Sequence, residues 1–355
     1  MKNYNIALYP GDGIGREVVP EAIKSLDAVS DACGFKLEYT QFDWGCDYYE
    51  HKGKVVPDDY LDILSGFDAI FLGALGDPAR LPDHITLRPL IEIRQSFDQY
   101  ACLRPANLLP GIATPLAGRQ AGDIDMLVLR ENCEGEYLDV GGFFKHNREE
   151  GVAVQVALHS RKGIERILRY GFKLAEERRR HLTMTTKSNA LKYGMVYWDE
   201  VFEEVRKDYP NVRADKCHVD ALAMNFVRWP DKYDVVVASN LFGDILSDLA
   251  GAISGGLGLA PSASVNPQKQ FPSLFEPVHG SALDIAGKNM ANPIGAIRSA
   301  AMMLDFLGER TAALLIDRSV ESCLKSGTAR TADLGGSDTT SDMGDDIATR
   351  IRRDA

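Results

Sequence analysis

Short runs of apolar, mostly β-branched residues alternate along the chain with longer stretches in which apolar positions recur every three to four residues. Continuous or period-two apolar runs fit strands, and the longer period fits helices buried along one stripe. Strands are expected at residues 5–9, 36–42, 69–72, 126–129, 182–186, 217–219 and 235–238. Helices are expected at residues 15–32, 57–64, 90–100, 162–177, 194–207, 242–253, 293–307 and 310–325. This alternation predicts an α/β fold with mainly parallel sheet covered by helices on both faces.

Residues 136–159 break the rhythm. Gly141-Gly142, a charged tip at 145–150 and the alternation Val152, Val154, Val156, Leu158 predict a β-hairpin or arm. Its apolar side needs cover, from its own domain or from a partner subunit. No proline-rich linker divides the chain. Gly255-Gly256-Leu257-Gly258 and a turn at Leu103-Arg104-Pro105 are the candidate hinges. A domain inserted between them would leave the N- and C-terminal parts to form the other domain together.

Composition narrows the function. At 355 residues, with 45% hydrophobic and 26% charged, the chain has the make-up of a globular protein of two or three domains. A net charge of −11 argues against a general nucleic-acid binder and against attachment to an anionic membrane. It leaves room for an anionic substrate held by a few local arginines. No apolar run is long enough to span a membrane, and the N-terminus reads as a first strand and turn rather than a signal peptide. The six scattered cysteines form no CxxC pair, which points to a reducing, cytoplasmic setting. The basic stretch 161–180 has one apolar helical face and is expected to be a core-packed helix with a solvated side.

The strongest chemical signal is the stretch 240–248. Asp244 and Asp248 are four residues apart, so a helix projects both from one face, directly after an apolar strand. In open α/β sheets ligands bind beyond the carboxyl ends of strands, and two carboxylates there suit Mg2+ or Mn2+. The same spacing also suits two solvated acids at a helix N-terminus. Asp220, Lys187 and Tyr137 each follow a predicted strand as Asp244 does, which suggests a common rim. Arg94, Arg104 and Arg130 supply guanidinium forks for a di- or tricarboxylate, unless each makes only a surface ion pair. Gly11-Asp12-Gly13-Ile14-Gly15 is spaced GxGxG rather than GxGxxG, and a tight turn explains it better than a dinucleotide fingerprint. The small-residue run 279–287, followed by Asn292-Pro293, would let backbone approach a ligand, with Asp284 able to bond a ribose diol.

Taken together and in this order, these segments resemble the metal-dependent β-decarboxylating dehydrogenases, the family of isopropylmalate, isocitrate and tartrate/D-malate dehydrogenases. The resemblance runs from Gly11 to Gly336. It is nearest the tartrate/D-malate branch through Pro82-Asp83-His84, Phe97-Asp98-Gln99-Tyr100, Glu134-Gly135-Glu136-Tyr137, Thr186-Lys187-Ser188-Asn189 and Tyr197-Trp198-Asp199-Glu200. It implies a two-domain isopropylmalate dehydrogenase-like fold. Residues 1–102 and 256–355 would form the cofactor domain, and 103–255 the inserted substrate and dimerisation domain with its intersubunit arm at 136–159. It implies a homodimer acting on a small 2-hydroxy dicarboxylate of the D-malate or tartrate type, with NAD, Mg2+ or Mn2+, and K+ as a further candidate ion.

Residue by residue, Arg94, Arg104 and Arg130 match the arginines that hold substrate carboxylates. Asp220, Asp244 and Asp248 match the metal ligands, with Asp220 coming from the partner. Tyr137 and Lys187 match the catalytic acid and base, with Lys187 also contributed across the dimer. Leu72, Gly73, Ala74, Asn189, Glu276, His279, Gly280, Ser281, Ala282, Asp284 and Asn292 match the cofactor site. Asp284-Ile285 stands where NADP-using members carry Lys-Tyr, which implies NAD. Leu87-Arg88-Pro89 replaces a Leu-Trp-Gly stretch of that branch, so Leu87 and Arg88 are expected near the C3 substituent, with Arg88 either contacting it or turned to solvent. A 3-isopropylmalate-like preference and a non-catalytic subunit are the alternatives.

Overall fold

The structure is a computed structural model describing residues 2–355. The chain begins with β1 (Asn3–Gly11), α1 (Gly15–Cys33), β2 (Lys36–Gln41), α2 (Cys46–Lys52), α3 (Tyr60–Ser65), β3 (Ala69–Ala74), α4 (Asp83–Thr86) and α5 (Arg88–Ser96). It continues through β4 (Ala101–Asn107), β5 (Asp125–Glu131), the hairpin β6 (Gly141–Phe144) and β7 (Val152–Gln155), α6 (Arg161–Glu177), β8 (His181–Thr186), α7 (Gly194–Val205) and β9 (Arg213–His218). The last part holds α8 (Val219–Arg228), β10 (Val235–Ala238), α9 (Asn240–Ile253), β11 (Pro261–Val265), β12 (Ser273–Pro277), α10 (Ile294–Leu307), α11 (Arg310–Ser326) and α12 (Thr340–Asp354).

Ten strands form one sheet in the order β2-β1-β3-β12-β11-β4-β5-β10-β8-β9. Two parallel wings, β2-β1-β3-β12 and β5-β10-β8-β9, run in opposite directions. The antiparallel pairings of β11 and β4 join them. Period-two alternation explains β1: Ile6 and Leu8 enter the core under α1 and α10–α12, whereas Ala7 and Tyr9 face a second cluster containing Trp44, Leu90 and Phe97. On the other wing Leu222, Phe226 and Leu246 cover one face, and Ile167, Phe172 and Phe202 the other.

The sheet corrects three expectations. Leu103-Arg104-Pro105 is not a turn but the middle of β4. Strand β11 accompanies β4 only through Leu103, so at Pro105 the strand has one neighbour, and a residue without N–H fits there. Helix α5 ends at Ser96 instead of running to residue 100, because Asp98 takes a left-handed backbone (φ 44°) that turns the chain into β4. Strand β9 ends at His218, and Val219 already begins α8. Strands β11 and β12 and helices α8 and α12 lie outside the expected elements. The hairpin forms where expected, with Phe143, Phe144, Val152 and Val154 all exposed on this chain.

Candidate active site

Cross-strand register gathers the polar residues. Arg130 pairs with Cys102, two residues from Arg104; Cys102 pairs with Ser264, and Ser262 pairs with Glu276. Opposed residues share a face, so Arg104, Arg130 and Glu276 project from the same side of the sheet. Helix α5 brings Arg94 over that side, and α9, leaving β10, brings Asp244. Arg94 Nη2 donates to Glu276 Oε1 at 2.7 Å, with both side chains 8% exposed. Arg130 is fully enclosed; its guanidinium pairs directly with Asp244 and donates twice to Asn240 Oδ1, at 2.9 and 2.6 Å. Arg104 Nη1 donates to Ser247 Oγ at 2.8 Å and lies 3.1 Å from Asp244 Oδ1 and 3.4 Å from Asp248 Oδ1. Tyr137 OH donates to Asp244 Oδ2 at 2.5 Å, and its ring lies 4.9 Å from the Arg130 guanidinium carbon.

The electrostatics follow from this packing. Burial pushes the Asp244 carboxyl up, but the Arg130 and Arg104 guanidinium groups and the Tyr137 hydroxyl outweigh it and hold it below the usual carboxylate range. Burial, then the bond to Asp244, pushes the Tyr137 phenol up, so it stays protonated. Burial and the Asp244 charge push Asp248 up against the pull of Arg104.

A cavity of about 280 Å3 opens over this cluster. Among the residues singled out from sequence, Leu72, Gly73, Ala74, Leu87, Arg94, Arg104, Arg130, Tyr137, Asp244, Glu276, His279 and Gly280 line it. Its wall from Leu75, Leu87, Leu90 and Ile91 is apolar. Arg88 does not line it: Arg88 is exposed and donates through Nε to Glu92 Oε1 at 2.7 Å. Of the two alternatives for Arg88 the structure thus shows the solvent-facing one, and Leu87 is the one of the pair that lines the cavity. A second cavity, also about 280 Å3, is lined by Ile14, Ala282, Ile285, Met290, Asn292 and Asp333, with His279 reaching both cavities. Asp284 is exposed on the loop beside it.

Lys187 and Asp220 are brought to each other, not to this cluster. Lys187 Nζ lies 2.8 Å from Asp220 Oδ1, neither lines the Arg-rich cavity, and Asn189 is exposed on the same turn. Among the described residues no three His, Cys, Asp or Glu gather into a metal cage. Asp244 and Asp248 thus have the oxygen chemistry for a hard cation, and Asp220 would have to reach it from another chain.

Orphaned groups indicate what the cavities accept. Arg94 Nε and Arg104 Nε are buried without a partner, as donors awaiting an anion are. His279 Nδ1 lies 3.0 Å from the Gly280 carbonyl oxygen, so Nδ1 carries the proton and Nε2 is an acceptor; Nε2 is buried and unpartnered. Burial pushes the His279 pKa down, which keeps that acceptor neutral. An apolar cavity with one waiting acceptor and glycine-lined backbone fits a nucleotide base and its ribose. Sequence reasoning missed Asn240, Ser247, Asp333 and the role of Ile14. Only Asn240 carried a signal, its place at the start of the helix that presents Asp244.

The model of the isocitrate/isopropylmalate dehydrogenase family matches residues 5–347. The chain belongs to that family. It is 51% identical to D-malate dehydrogenase [decarboxylating] of Escherichia coli (strain K12), over 99% of this chain and 100% of that one. It is 48% identical to tartrate dehydrogenase/decarboxylase of Pseudomonas putida, over 99% and 98% of the two chains. Among solved structures, isocitrate dehydrogenase from Methylococcus capsulatus superposes with a TM-score of 0.89 at 36% identity, covering 98% of this chain and 99% of that one. The shared fold thus accounts for the two opposed parallel wings.

Proposed function

We propose that the protein is an NAD-dependent, Mg2+- or Mn2+-dependent dehydrogenase that oxidises and decarboxylates a 2-hydroxy dicarboxylate of the D-malate or tartrate type, working as a homodimer. The observation that carries this reading is the convergence of Arg94, Arg104 and Arg130, two with orphaned buried donors, on the Asp244–Tyr137 pair. Residues 1–102 with 256–355 would form the cofactor domain and 103–255 the substrate domain, with the cavity lined from both.

The arginines hold the two carboxylates of the substrate bidentately and set C2 against the wall at Gly73 and Ala74. The Lys187 amine, supplied by a second copy of the chain, takes the proton of the C2 hydroxyl. When bound, NAD would supply the acceptor for the C2 hydride, and a cation held by Asp244 and Asp248, with Asp220 of a second copy, would supply the charge that stabilises the C2 oxygen as CO2 departs. Tyr137, kept protonated by burial and Asp244, then delivers a proton to the carbon that lost CO2. Proton, hydride and CO2 thus all leave the substrate, and one proton returns to it. Asp284 and Ile285, beside the second cavity, offer no cation to a 2'-phosphate, which supports NAD over NADP. Six free thiols support a reducing, cytoplasmic setting.

The apolar wall of Leu75, Leu87, Leu90 and Ile91 favours a second reading, a preference for an alkyl group at C3 as in 3-isopropylmalate. NADH formation with Mn2+, measured against D-malate, L- and meso-tartrate and 3-isopropylmalate, with EDTA and NADP comparisons, decides. Turnover of D-malate or tartrate abolished by EDTA supports the first reading. Turnover of 3-isopropylmalate alone supports the second, and no turnover of any overturns both.

A further inference from the structure

At the glycine turn 11–15, four successive or near-successive backbone amides are already taken. Asp12 N donates to Ala74 O at 2.8 Å, Ile14 N to Ser281 O at 2.9 Å, Gly15 N to Asp12 O at 3.1 Å and Arg16 N to Gly13 O at 3.3 Å. A phosphate would find these four donors occupied. The turn instead packs backbone against backbone: a Cβ at Gly13 (φ 53°) would stand 2.1 Å from Ser281 O, and one at Gly15 2.6 Å from Ala74 N. Its two acids reach outward to other segments. Asp12, 3% exposed, accepts the amides of Cys46 and Gly76, each at 2.9 Å. Glu17, in the first turn of α1, accepts the amide of Gly287 at 2.6 Å and that of Asn289 at 2.7 Å, two positions held in left-handed conformations.

We propose that Asp12 and Glu17 are positioning residues: the turn is a bracket that fixes two walls of the nucleotide site, segment 72–76 and loop 279–289, without touching phosphate. This rests on the reading of those cavities as the NAD site. Asp12 sets the first wall, Ile14 N and Glu17 the second, and Ile14 itself lines the second cavity. A carboxylate is required at 17 because both neighbours are donors; an amide can accept from one and would confront the other with N–H.

The test is Glu17→Gln in the full-length enzyme with D-malate and Mn2+, beside Glu309→Gln, which alters a carboxylate bound to Lys2 and Tyr4. The KM for NAD is expected to rise about 10-fold, the scale of one charge-assisted hydrogen bond. The kcat and the KM for D-malate should stay near wild type, NAD should protect the variant less against heat, and Glu309→Gln should show none of this. An unchanged KM for NAD, or a loss confined to kcat, overturns the proposal. A wild type that ignores NAD overturns the cofactor reading instead. If Glu17→Gln does not fold by circular dichroism, amide exchange in the wild type decides: Gly287 and Asn289 exchanging far more slowly than a free loop supports the bracket, and free-loop rates overturn it.

Discussion

At the scale of single residues, burial helps both Tyr137 and Glu131 to hold a proton, with different consequences. Tyr137 keeps its proton for delivery, and Tyr137→Phe removes it while preserving the ring over Arg130. We expect overall turnover to fall about 10²- to 10⁴-fold, the usual worth of a positioned acid. Hydride transfer should suffer less than protonation, so NADH should form in a burst ahead of the ketonised product; the absence of a burst would count against the role. Glu131 lies 2% exposed beside Arg130, accepts the amides of Cys133 at 3.0 Å and Glu134 at 2.9 Å, and burial pushes it up from an ordinary 4.5 to about 7. Between those values the folded chain holds a proton that the unfolded chain has lost. This contribution to stability is therefore full below about pH 4.5 and is lost as pH rises towards about 7. Glu131→Gln should flatten that part of the melting-temperature profile, and parallel profiles for the two proteins would refute it.

At the scale of elements, α12 shows how a short local signal can outweigh a weak apolar pattern. Thr339 Oγ1 accepts the Asp342 amide at 3.1 Å and the Asp342 carboxylate accepts the Thr339 amide at 3.0 Å, a reciprocal capping box. The helix buries Met343, Ile347 and Ile351 in the main core, and its first turn also bonds Asn289 of the loop at 279–289. Thr339→Ala should cost about 1 kcal/mol of local stability. Amide exchange in the first turns of α12 should quicken about fivefold, while exchange in β1 stays constant. Strands β4, β11 and β12 have no such signal. They carry Pro105, Pro261 and Pro277, and small polar residues where a strand pattern needs bulk, and what holds them is pairing with strands far away in the chain.

At the scale of the molecule, the groups needed for the proposed reaction stand in two places on one chain. The arginines, Tyr137 and Asp244 line a cavity, while Lys187 and Asp220 pair elsewhere. Exposed apolar side chains on the hairpin, and Met224, Val227 and Ile245 on α8 and α9, offer surface for a second copy. If each site combines one chain's arginines with the other's lysine, Lys187→Ala and Asp244→Asn, each inactive alone, should complement when refolded together. A mixed dimer keeps one intact site, so the mixture should regain roughly a quarter of wild-type activity. No recovery, with mixed dimers present, would place all the groups in one chain.

The sequence by itself determined the alternating architecture, the amphipathic helices and the hairpin, because those are set by the periodicity of neighbouring side chains. Motif order also pointed to the family and to the arginines, Tyr137 and Asp244 of the candidate site, but not to Asn240, Ser247 or Asp333. Only the tertiary structure decided how those residues meet. Arg130 and Asp244 are 114 positions apart, and Tyr137 meets Asp244 across 107. Their contact depends on the register of β4 and β5 and on the helix leaving β10, which no local pattern encodes. The turn of Arg88 towards Glu92 and the occupation of the glycine turn's amides were also tertiary outcomes. Each depended on which partner lay within hydrogen-bond reach once the sheet had closed, and period and composition carry no record of that.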